Sequence, residues 1–182
     1  MWNDSSLIKI LKDGGVVVMP TDTIYGIVGS ALNKNTVERI YKIRKRTPEK
    51  PCIILIGDFS EVKKFGVTIS EEQKNRIREY EGGVSVVLDC LEYEFEYLHR
   101  GTKTLAFRVP APQEFKDLLL KTGPLIAPSA NSEALPPSRN IQEARNYFGD
   151  SVDFYVDGGE ISSKASKIIK LHTDGSVIIV RE

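Results

Sequence analysis

The chain has 182 residues, of which 41% are hydrophobic, and its 25 basic side chains balance its 25 acidic ones. This composition is typical of one globular domain, so we expect a single domain over residues 1–182. A formal charge of zero argues against the broad positive field of a dedicated nucleic-acid binder. The sequence shows no signal-peptide pattern and no apolar run near the ~20 residues of a membrane span. Cys52 and Cys90 lie far apart, without metal-ligand spacing, so we expect a cytoplasmic protein with reduced thiols.

The first half of the chain alternates helical and strand-like patterns. Apolar residues at helical spacing, or charged helical composition, predict helices, and continuous apolar runs predict strands buried on both faces. Pro20 is expected to end the first strand, and the hydroxyl- and glycine-rich segment 21–33 is expected to be a loop. The predicted helices are 4–13, Asn35 to just before Pro48, 58–66 and 70–80, and the predicted strands are 16–19 and 52–56.

The second half continues the alternation. Pro112 stands near the start of one helix and Gly123 at its end. The order of elements predicts an α/β (α+β) domain, with a twisted mixed sheet covered by surrounding helices. The predicted strands are 84–88, 105–109, 124–128, 152–156, 166–171 and 176–181, and the predicted helices are 111–123 and 141–148.

Three loops beside buried strands carry polar side chains suited to chemistry, because ligands of open α/β sheets bind beyond the carboxyl ends of strands. The first, residues 20–26, brings two threonines, an aspartate and a tyrosine together, although a simple capped turn is the better explanation of this loop taken alone. The second is basic: residues 39–50 hold six cations and one acid, so this segment is +5 and the rest of the chain is −5. A solvated helix end is the ordinary explanation of such charge. The third, residues 127–131, places Ser129 and Asn131 after a strand.

Arg108 is unusual because it lies within an otherwise apolar predicted strand. A buried arginine needs an anionic partner, which is either an internal carboxylate or a ligand carboxylate. The chain contains neither a P-loop nor a G-x-G-x-x-G motif, so side-chain cations would have to bind any nucleotide. His99 and His172 lie far from the three loops and are expected at the surface, which argues against a Ser-His or Cys-His hydrolase.

In this order, the motifs PTDT-x-YG, R-x-R with a following KP, SAN, and a late serine and arginine resemble the YrdC-like (DHBP synthase-like) family of threonylcarbamoyl-AMP synthases. The likeness runs from Gly14 to Arg181. It implies an enzyme that makes threonylcarbamoyl-AMP and pyrophosphate from L-threonine, bicarbonate or CO2, and ATP. The product would feed the threonylcarbamoyladenosine modification of tRNA through a downstream transferase machinery, and some family members bind double-stranded RNA.

The resemblance also implies roles for individual residues. Arg44 and Arg46 would be catalytic, and Mg2+ would arrive with ATP and need no direct protein ligand. Threonine would contact Thr23, Arg108, Ala127 and Ser166. ATP would contact Arg46, Lys50, Thr104, Ser129, Asn131 and Arg181.

The sequence departs from the family pattern at several positions. Arg44 replaces a lysine, Glu133-Ala134 replaces Ser-Gly, and Glu81-Gly82-Gly83 replaces Pro-Gly-Pro before a hydroxyl residue. Lys167 stands in place of a threonine, Lys170 in place of an aspartate, and Leu55 where some members have histidine.

Two other functions are compatible with the same fold. The first is non-catalytic binding of double-stranded RNA or tRNA, as expected of the YciO-like branch, which lacks the basic pair and the Ser-x-Asn motif that this chain has. The second is carbamoyl transfer, as in the YrdC-like domain of hydrogenase-maturation proteins, which occurs in much longer multidomain chains.

Overall fold

The computed structural model describes residues 1–80 and 83–182. Its strands form a mixed sheet in the order β7, β1, β2, β6, β3, β5, β4, β8, β9. The pairs β1–β7, β3–β5 and β4–β8 are parallel and the others are antiparallel, which confirms the predicted mixed sheet. The strands are β1 (Val17–Pro20), β2 (Tyr25–Ser30), β3 (Ile53–Leu55), β4 (Val84–Asp89), β5 (Thr104–Arg108), β6 (Leu125–Ile126), β7 (Phe154–Tyr155), β8 (Lys167–Leu171) and β9 (Val177–Arg181).

Helices surround this sheet, and side-chain caps fix where several of them begin. Asp4 accepts backbone hydrogen bonds at the start of α1, and Asn33 does the same at the start of α2. The helices are α1 (Ser5–Lys12), α2 (Lys34–Arg44), α3 (Glu71–Arg78), α4 (Glu96–His99), α5 (Gln113–Thr122) and α6 (Ile141–Phe148), with 3-10 turns at Phe59–Phe65, Tyr93–Phe95 and Gly149–Ser151.

The main error of the sequence prediction is in segment 21–33, which is not all loop. It contains β2, a buried strand that pairs with β1 on one side and β6 on the other. Gly26 and Gly29 gave the segment its loop-like composition. A Cβ on Gly29 would overlap the Thr36 side chain, so glycine here lets α2 pack directly against the sheet.

Smaller differences concern the ends and types of elements. Pro20 is the last residue of β1 and does not lie beyond it. The helix predicted at 58–66 is a 3-10 turn over Phe59–Phe65, and the short helix α4 was not predicted. His99 is buried at 5% exposure, contrary to the expected surface position, and its Nδ1 accepts a hydrogen bond from the Gly101 N–H at 3.1 Å. The predicted departure at Glu81 and Gly82 lies outside the described residues.

The two faces of the sheet are covered differently, and this difference positions the site. One face packs against α2, α4, α6 and the 3-10 turn at Phe59–Phe65 in the larger apolar core. On the other face, α1 and α5 cover only the end formed by β1, β2, β6 and β3. Over β5, β4, β8 and β9, this second face holds a cleft and a groove. Among the described residues, no helix is long and apolar enough to cross a membrane.

Candidate active site

A cleft of about 290 Å³ opens on the second face of the sheet, beside the end covered by α1 and α5. Its floor comes from β3 and β8, through the apolar side chains Ile53, Leu55 and Ile168. Its walls come from the turn after β1, the loop after α2 and the loop after β6. All three loops that the sequence singled out therefore meet at this cleft.

The turn between β1 and β2 presents the first group of polar side chains. Pro20 pairs with Tyr25, and the Thr21 N–H donates to the Ile24 carbonyl at 3.0 Å, which closes a tight hairpin. The Thr21 hydroxyl donates to the same carbonyl at 2.7 Å. With its backbone fixed in this way, the turn directs Asp22 and Thr23 towards the end of β5.

Arg108, the last residue of β5, meets this turn and is 4% exposed. Its Nη1 donates to the Thr23 hydroxyl at 3.2 Å, and its Nη2 lies 2.5 Å from Asp22 Oδ2. The side chains of Arg108 and Asp22 are only 5% and 3% exposed. The internal carboxylate that the sequence left as one alternative is therefore present.

The ion pair does not use all the hydrogen-bonding capacity of Arg108. Within the described part of the chain, its Nε and Nη2 have no hydrogen-bond partner of good geometry, and neither does Asp22 Oδ1. Arg108 nevertheless also lines the cleft, while its Nη2 lies against Asp22 and both its Nε and its Nη2 are shielded from solvent. The two alternatives for Arg108, an internal partner and a ligand, are thus compatible with each other.

Arg46 supplies a second guanidinium from the loop after α2. Lys45 ends the helix in the left-handed conformation at φ 51°, which turns the chain sharply before Arg46. The Arg46 Nε donates to the Lys50 carbonyl at 3.0 Å and its Nη2 to the Pro51 carbonyl at 2.8 Å. These two bonds hold the guanidinium in the wall of the cleft.

Arg44 lies behind the wall and is 2% exposed. Its Nε donates to the Asn131 carbonyl at 3.0 Å, and its Nη2 donates to Asn131 Oδ1 at 3.1 Å and to Ser129 Oγ at 3.2 Å. Burial, with a smaller contribution from the neighbouring Arg46, holds the pKa of the Arg44 guanidinium below its usual value. Arg44 therefore connects the basic segment to the Ser-x-Asn loop.

Glu133 joins the same two loops from the outside. Its carboxylate accepts from the Thr47 N–H, from the Thr47 hydroxyl at 2.9 Å and from Lys50 Nζ at 2.6 Å. The Lys50 ammonium, followed by the Thr47 N–H, lowers the pKa of Glu133 to about 2. Lys50 is consequently paired with Glu133 and does not line the cleft.

Arg181, at the end of β9, brings a third guanidinium to the cleft. Its Nε and Nη2 donate to the Ser166 carbonyl at 3.0 and 2.6 Å. Burial, with a smaller contribution from the positive charge of Arg108, holds the pKa of Arg181 below its usual value. Ser166 is itself buried and shares a hydrogen bond of 3.0 Å with the Ser85 hydroxyl.

The charge of the cleft follows from these positions. Arg46, Arg108 and Arg181 line it, and none of the lining residues in the described part of the chain is Asp or Glu. Guanidinium groups bind carboxylates and phosphates through paired N–H donors. The cleft is therefore suited to one or more anionic ligands.

The structure brings together most of the site residues predicted from the sequence. Thr104 lies instead in an adjoining groove of about 430 Å³, which shares Pro51 and Cys52 with the cleft. Arg44 and Asn131 lie behind the wall, and Lys50 lies outside it. The predicted residues that line the cleft are Thr23, Arg46, Arg108, Ala127, Ser129, Ser166 and Arg181.

Two residues that the sequence did not assign to the site are central to its geometry. Asp22 pairs with Arg108, and Glu133 closes the basic loop on the Ser-x-Asn loop. The only sequence signal for Asp22 was its place within the PTDT motif. Glu133 stood out only as a departure from the family pattern.

The fold and the cleft define a mixed α/β protein with a site for anionic ligands lined by arginines. The chain belongs to the Sua5/YciO/YrdC family, because the family model described as "Telomere recombination" matches residues 9–182. This confirms the resemblance found in the sequence at the level of the family.

Individual relatives agree with this assignment. Threonylcarbamoyl-AMP synthase of Pyrococcus abyssi is 29% identical over 161 residues, which are 87% of this chain and 47% of the relative, so the chain spans about half of that protein. The enzyme of the same name from Coxiella burnetii is 28% identical over 83% of this chain and 82% of the relative.

Solved structures are similar over nearly the whole chain. The crystal structure of P. abyssi Sua5 complexed with L-threonine matches with a TM-score of 0.86 and 28% identity, over 97% of this chain and 52% of that one. The structure of E. coli YciO matches with a TM-score of 0.82 and 25% identity, over 97% and 87%. The predicted fold class is thereby confirmed.

Proposed function

We propose that this protein is a nucleotidyltransferase that forms threonylcarbamoyl-AMP and pyrophosphate from L-threonine, bicarbonate or CO2, and ATP. The observation that carries the proposal is the convergence of Arg46, Arg108 and Arg181 on one cleft with no lining acid among the described residues. Both reacting partners are anionic, so the site must hold negative charges close together. Relatives named for this activity support the assignment.

The threonine end of the cleft is assigned to Arg108 and the turn after β1. Arg108 lines the cleft, and its guanidinium suits the threonine carboxylate, which accepts paired N–H groups. Thr23 lies 3.2 Å from the same guanidinium and supplies a hydroxyl, and Ala127 and Ser166 line the cleft nearby. The solved complex of the Pyrococcus relative with L-threonine supports a threonine site within this fold.

The ATP end is assigned to Arg46, Ser129 and Arg181, which also line the cleft. The adjoining groove has an apolar floor that includes Ile53 and Ala106, with Thr104 at the polar rim. An apolar floor with a few polar groups is the usual environment of a bound base. The nucleotide would therefore extend from the cleft, which holds the phosphates, into the groove.

The reaction needs positioning and charge stabilisation more than a covalent nucleophile. The threonine amine adds to CO2 and loses a proton, which gives a carbamate. A carbamate oxygen then forms a bond to the α-phosphorus of ATP, and the bond from that phosphorus to the bridging oxygen breaks, so that pyrophosphate leaves with the electron pair. Arg46 and Arg181 would stabilise the charge on the phosphate oxygens.

Arg44 was assigned a catalytic role from the family resemblance, and its position supports a positioning role. Its guanidinium fixes Ser129 and Asn131 from behind the cleft wall. Asn131 uses its remaining donor on the carbonyls of Ser132 and Leu135, so it shapes the loop. Through these bonds Arg44 would hold the Ser129 hydroxyl at the nucleotide.

We propose that Mg2+ reaches the cleft together with the triphosphate and takes no direct ligand from the protein. The described residues contain no group of three or more His, Cys, Asp or Glu side chains that could hold a metal ion. Mg2+ in nucleotide sites commonly keeps several waters and relies on the phosphates as ligands. When bound, it would neutralise phosphate charge, while Arg46 and Arg181 orient the chain of phosphates.

The setting of the reaction is also part of the proposal. A threonylcarbamoyl-AMP product is a mixed anhydride that an acceptor amine can attack, which suits transfer to tRNA by a separate transferase. The need for ATP and the two buried free cysteines suit the cytoplasm. Direct binding of tRNA or double-stranded RNA is the alternative function, which the similarity to YciO leaves available at the level of the fold.

Release of pyrophosphate by the purified protein tests the proposal. We expect release from ATP only when threonine and bicarbonate are both present, and omission of either should abolish it. Serine is the control substrate, because it keeps the carboxylate and amine and lacks only the methyl group. Release that does not depend on threonine, or binding of RNA without any release, would contradict the proposed function.

A further inference from the structure

The carboxylate of Glu133 accepts several hydrogen bonds just outside the cleft. It accepts from a backbone N–H and a hydroxyl of Thr47 and from the Lys50 ammonium. Its side chain is 20% exposed, while that of Lys50 is 59% exposed. The contact therefore fixes the loop 47–50 against the loop after β6, across 83 residues of sequence.

The loop that Glu133 holds is the one that orients Arg46. The carbonyls of Lys50 and Pro51 accept both hydrogen bonds that place the Arg46 guanidinium in the cleft wall. The Tyr41 hydroxyl, on α2, donates to the Lys50 carbonyl at 2.8 Å and so helps to hold the same loop. A connected series of contacts thus runs from Glu133 through residues 47–50 to Arg46.

A second connection ties Glu133 to the other side of the nucleotide site. The Glu133 N–H donates to the Arg44 carbonyl at 2.9 Å, and the Arg44 side chain in turn holds Ser129. Glu133 therefore contacts, through main chain and side chain, both loops assigned to the phosphates. It does not itself line the cleft.

We propose that Glu133 is a positioning residue for polyphosphate binding, which fixes the basic loop so that Arg46 is preorganised to meet the phosphates. This inference rests on the proposed function, since it concerns the nucleotide end of the same cleft. Preorganisation of a binding group lowers the cost of ordering it when the ligand arrives. The carboxylate acts through residues 47–50 and does not touch the ligand.

The sign of the effect separates this role from simple electrostatics. Removing a negative charge near a cationic cleft should tighten the binding of an anion if charge alone matters. A positioning role has the opposite consequence, because Arg46 loses its fixed orientation. Loss of the carboxylate should then weaken binding even though the site becomes more positive.

Isothermal titration with ATP, with inorganic triphosphate and with threonine would measure this effect in the full chain. We expect Glu133→Ala to raise the Kd for ATP and for triphosphate about tenfold, which corresponds to about 1.4 kcal/mol. The Kd for threonine should stay unchanged. Glu133→Gln keeps an acceptor for Thr47 but loses the ion pair with Lys50. Its Kd for ATP and for triphosphate should therefore lie between the values of the unmodified protein and of Glu133→Ala.

Glu143→Gln is the matched control. Glu143 on α6 also accepts from a backbone N–H and a basic side chain, both of Arg139, but it does not line the cleft. We expect this variant to bind all three ligands like the unmodified protein. A role of Glu133 in stability alone would lower the folded fraction and leave the Kd of the folded protein unchanged.

The outcomes separate the positioning role of Glu133 from the proposed function of the protein. Equal or tighter binding of triphosphate by Glu133→Ala would overturn the positioning role and leave the proposed function intact. Failure of the unmodified protein to bind ATP would contradict the proposed function. Inorganic triphosphate reports on Arg46 whether or not an adenylate forms, so Glu133 is tested in either case. Circular dichroism confirms that each variant is folded, and Glu133→Gln carries the test if the alanine variant does not fold.

Discussion

Replacing Arg108 by glutamine should lower the free energy of unfolding and weaken threonine binding. A second substitution, at Asp22, can separate these two effects. Arg108→Gln removes the cation and leaves the Asp22 carboxylate buried without its charged partner. The double variant Asp22→Asn with Arg108→Gln removes both charges and keeps the approximate shapes. Of these two variants, only the double variant is free of an isolated buried charge.

The magnitude follows from the geometry of the pair. At 2.5 Å the attraction is about 7 kcal/mol for an effective dielectric constant of about 20, most of which offsets the cost of desolvation. Both side chains are at most 5% exposed, so solvent screening is small. Removing one partner should therefore lower the free energy of unfolding by about 3–5 kcal/mol, and the double variant should recover a large part of that loss.

Urea unfolding and titration with threonine, both at neutral pH, give the two readouts. The double variant should be nearly as stable as the unmodified protein, yet bind threonine at least about tenfold more weakly, the effect of losing hydrogen bonds to a charged group. A loss of less than about 1 kcal/mol for Arg108→Gln, the range of an exposed pair, would refute the buried ion pair. Unchanged threonine binding by the double variant would refute the role of Arg108 as the carboxylate site.

Three further predictions follow from the surroundings of the cleft. Arg44→Lys should lower the free energy of unfolding by about 1–3 kcal/mol and weaken ATP binding, because an ammonium cannot reproduce the planar set of hydrogen bonds to Ser129 and Asn131. Urea unfolding and titration with ATP measure the two effects. An unchanged free energy of unfolding and an unchanged Kd for ATP would contradict this prediction. The folded-state pKa of Glu133, about 2, lies below its ordinary value of 4.5, so its contribution to stability is present above pH 4.5 and is lost as the pH falls through about 2. The difference in stability between the unmodified protein and Glu133→Gln should shrink over that window, and a constant difference would count against the contact. Burial raises the pKa of the Cys52 thiol, so alkylation of the native protein at mildly alkaline pH should be slow and should become fast in urea.

The order of apolar strands and helices was predictable from the sequence because each element carries a local pattern. The exception, β2, shows where that logic fails. Its Gly26 and Gly29 are typical of loops, but here they let neighbouring chain segments approach the sheet closely. Such a requirement is visible only once α2 is packed against β2.

The candidate site was predictable in part. The ordered motifs identified Thr23 and Arg46, and the apolar strand around Arg108 singled out that residue. The structure places all three at one cleft. Their roles in binding remain predictions, as do those of Lys50 and Thr104, which lie outside the cleft. No local sequence pattern indicates which of these residues lie at the cleft, because their positions depend on how loops distant in sequence meet.

The two carboxylates near the site could not have been assigned from sequence for the same reason. Asp22 meets Arg108 only because β3 and β5 pair in parallel, with Leu55 opposite Arg108, and because the hairpin turn reaches that end of β5. Glu133 meets Lys50 only because a loop after β6 folds back over the end of α2. Each contact spans more than 80 residues and depends on the whole sheet.

Mass spectrometry of the product formed from ATP, threonine and 13C-labelled bicarbonate tests the central claim most directly. The account predicts an adenylate that contains threonine and carries the heavy carbon, formed together with pyrophosphate. An adenylate of threonine without the label would mean that the amino-acid carboxylate attacks the α-phosphorus directly. That result would contradict the assignment of the Arg108 guanidinium to the threonine carboxylate and the assignment of the cleft to threonylcarbamoyl-AMP synthesis. The absence of any adenylate would contradict the second of these assignments.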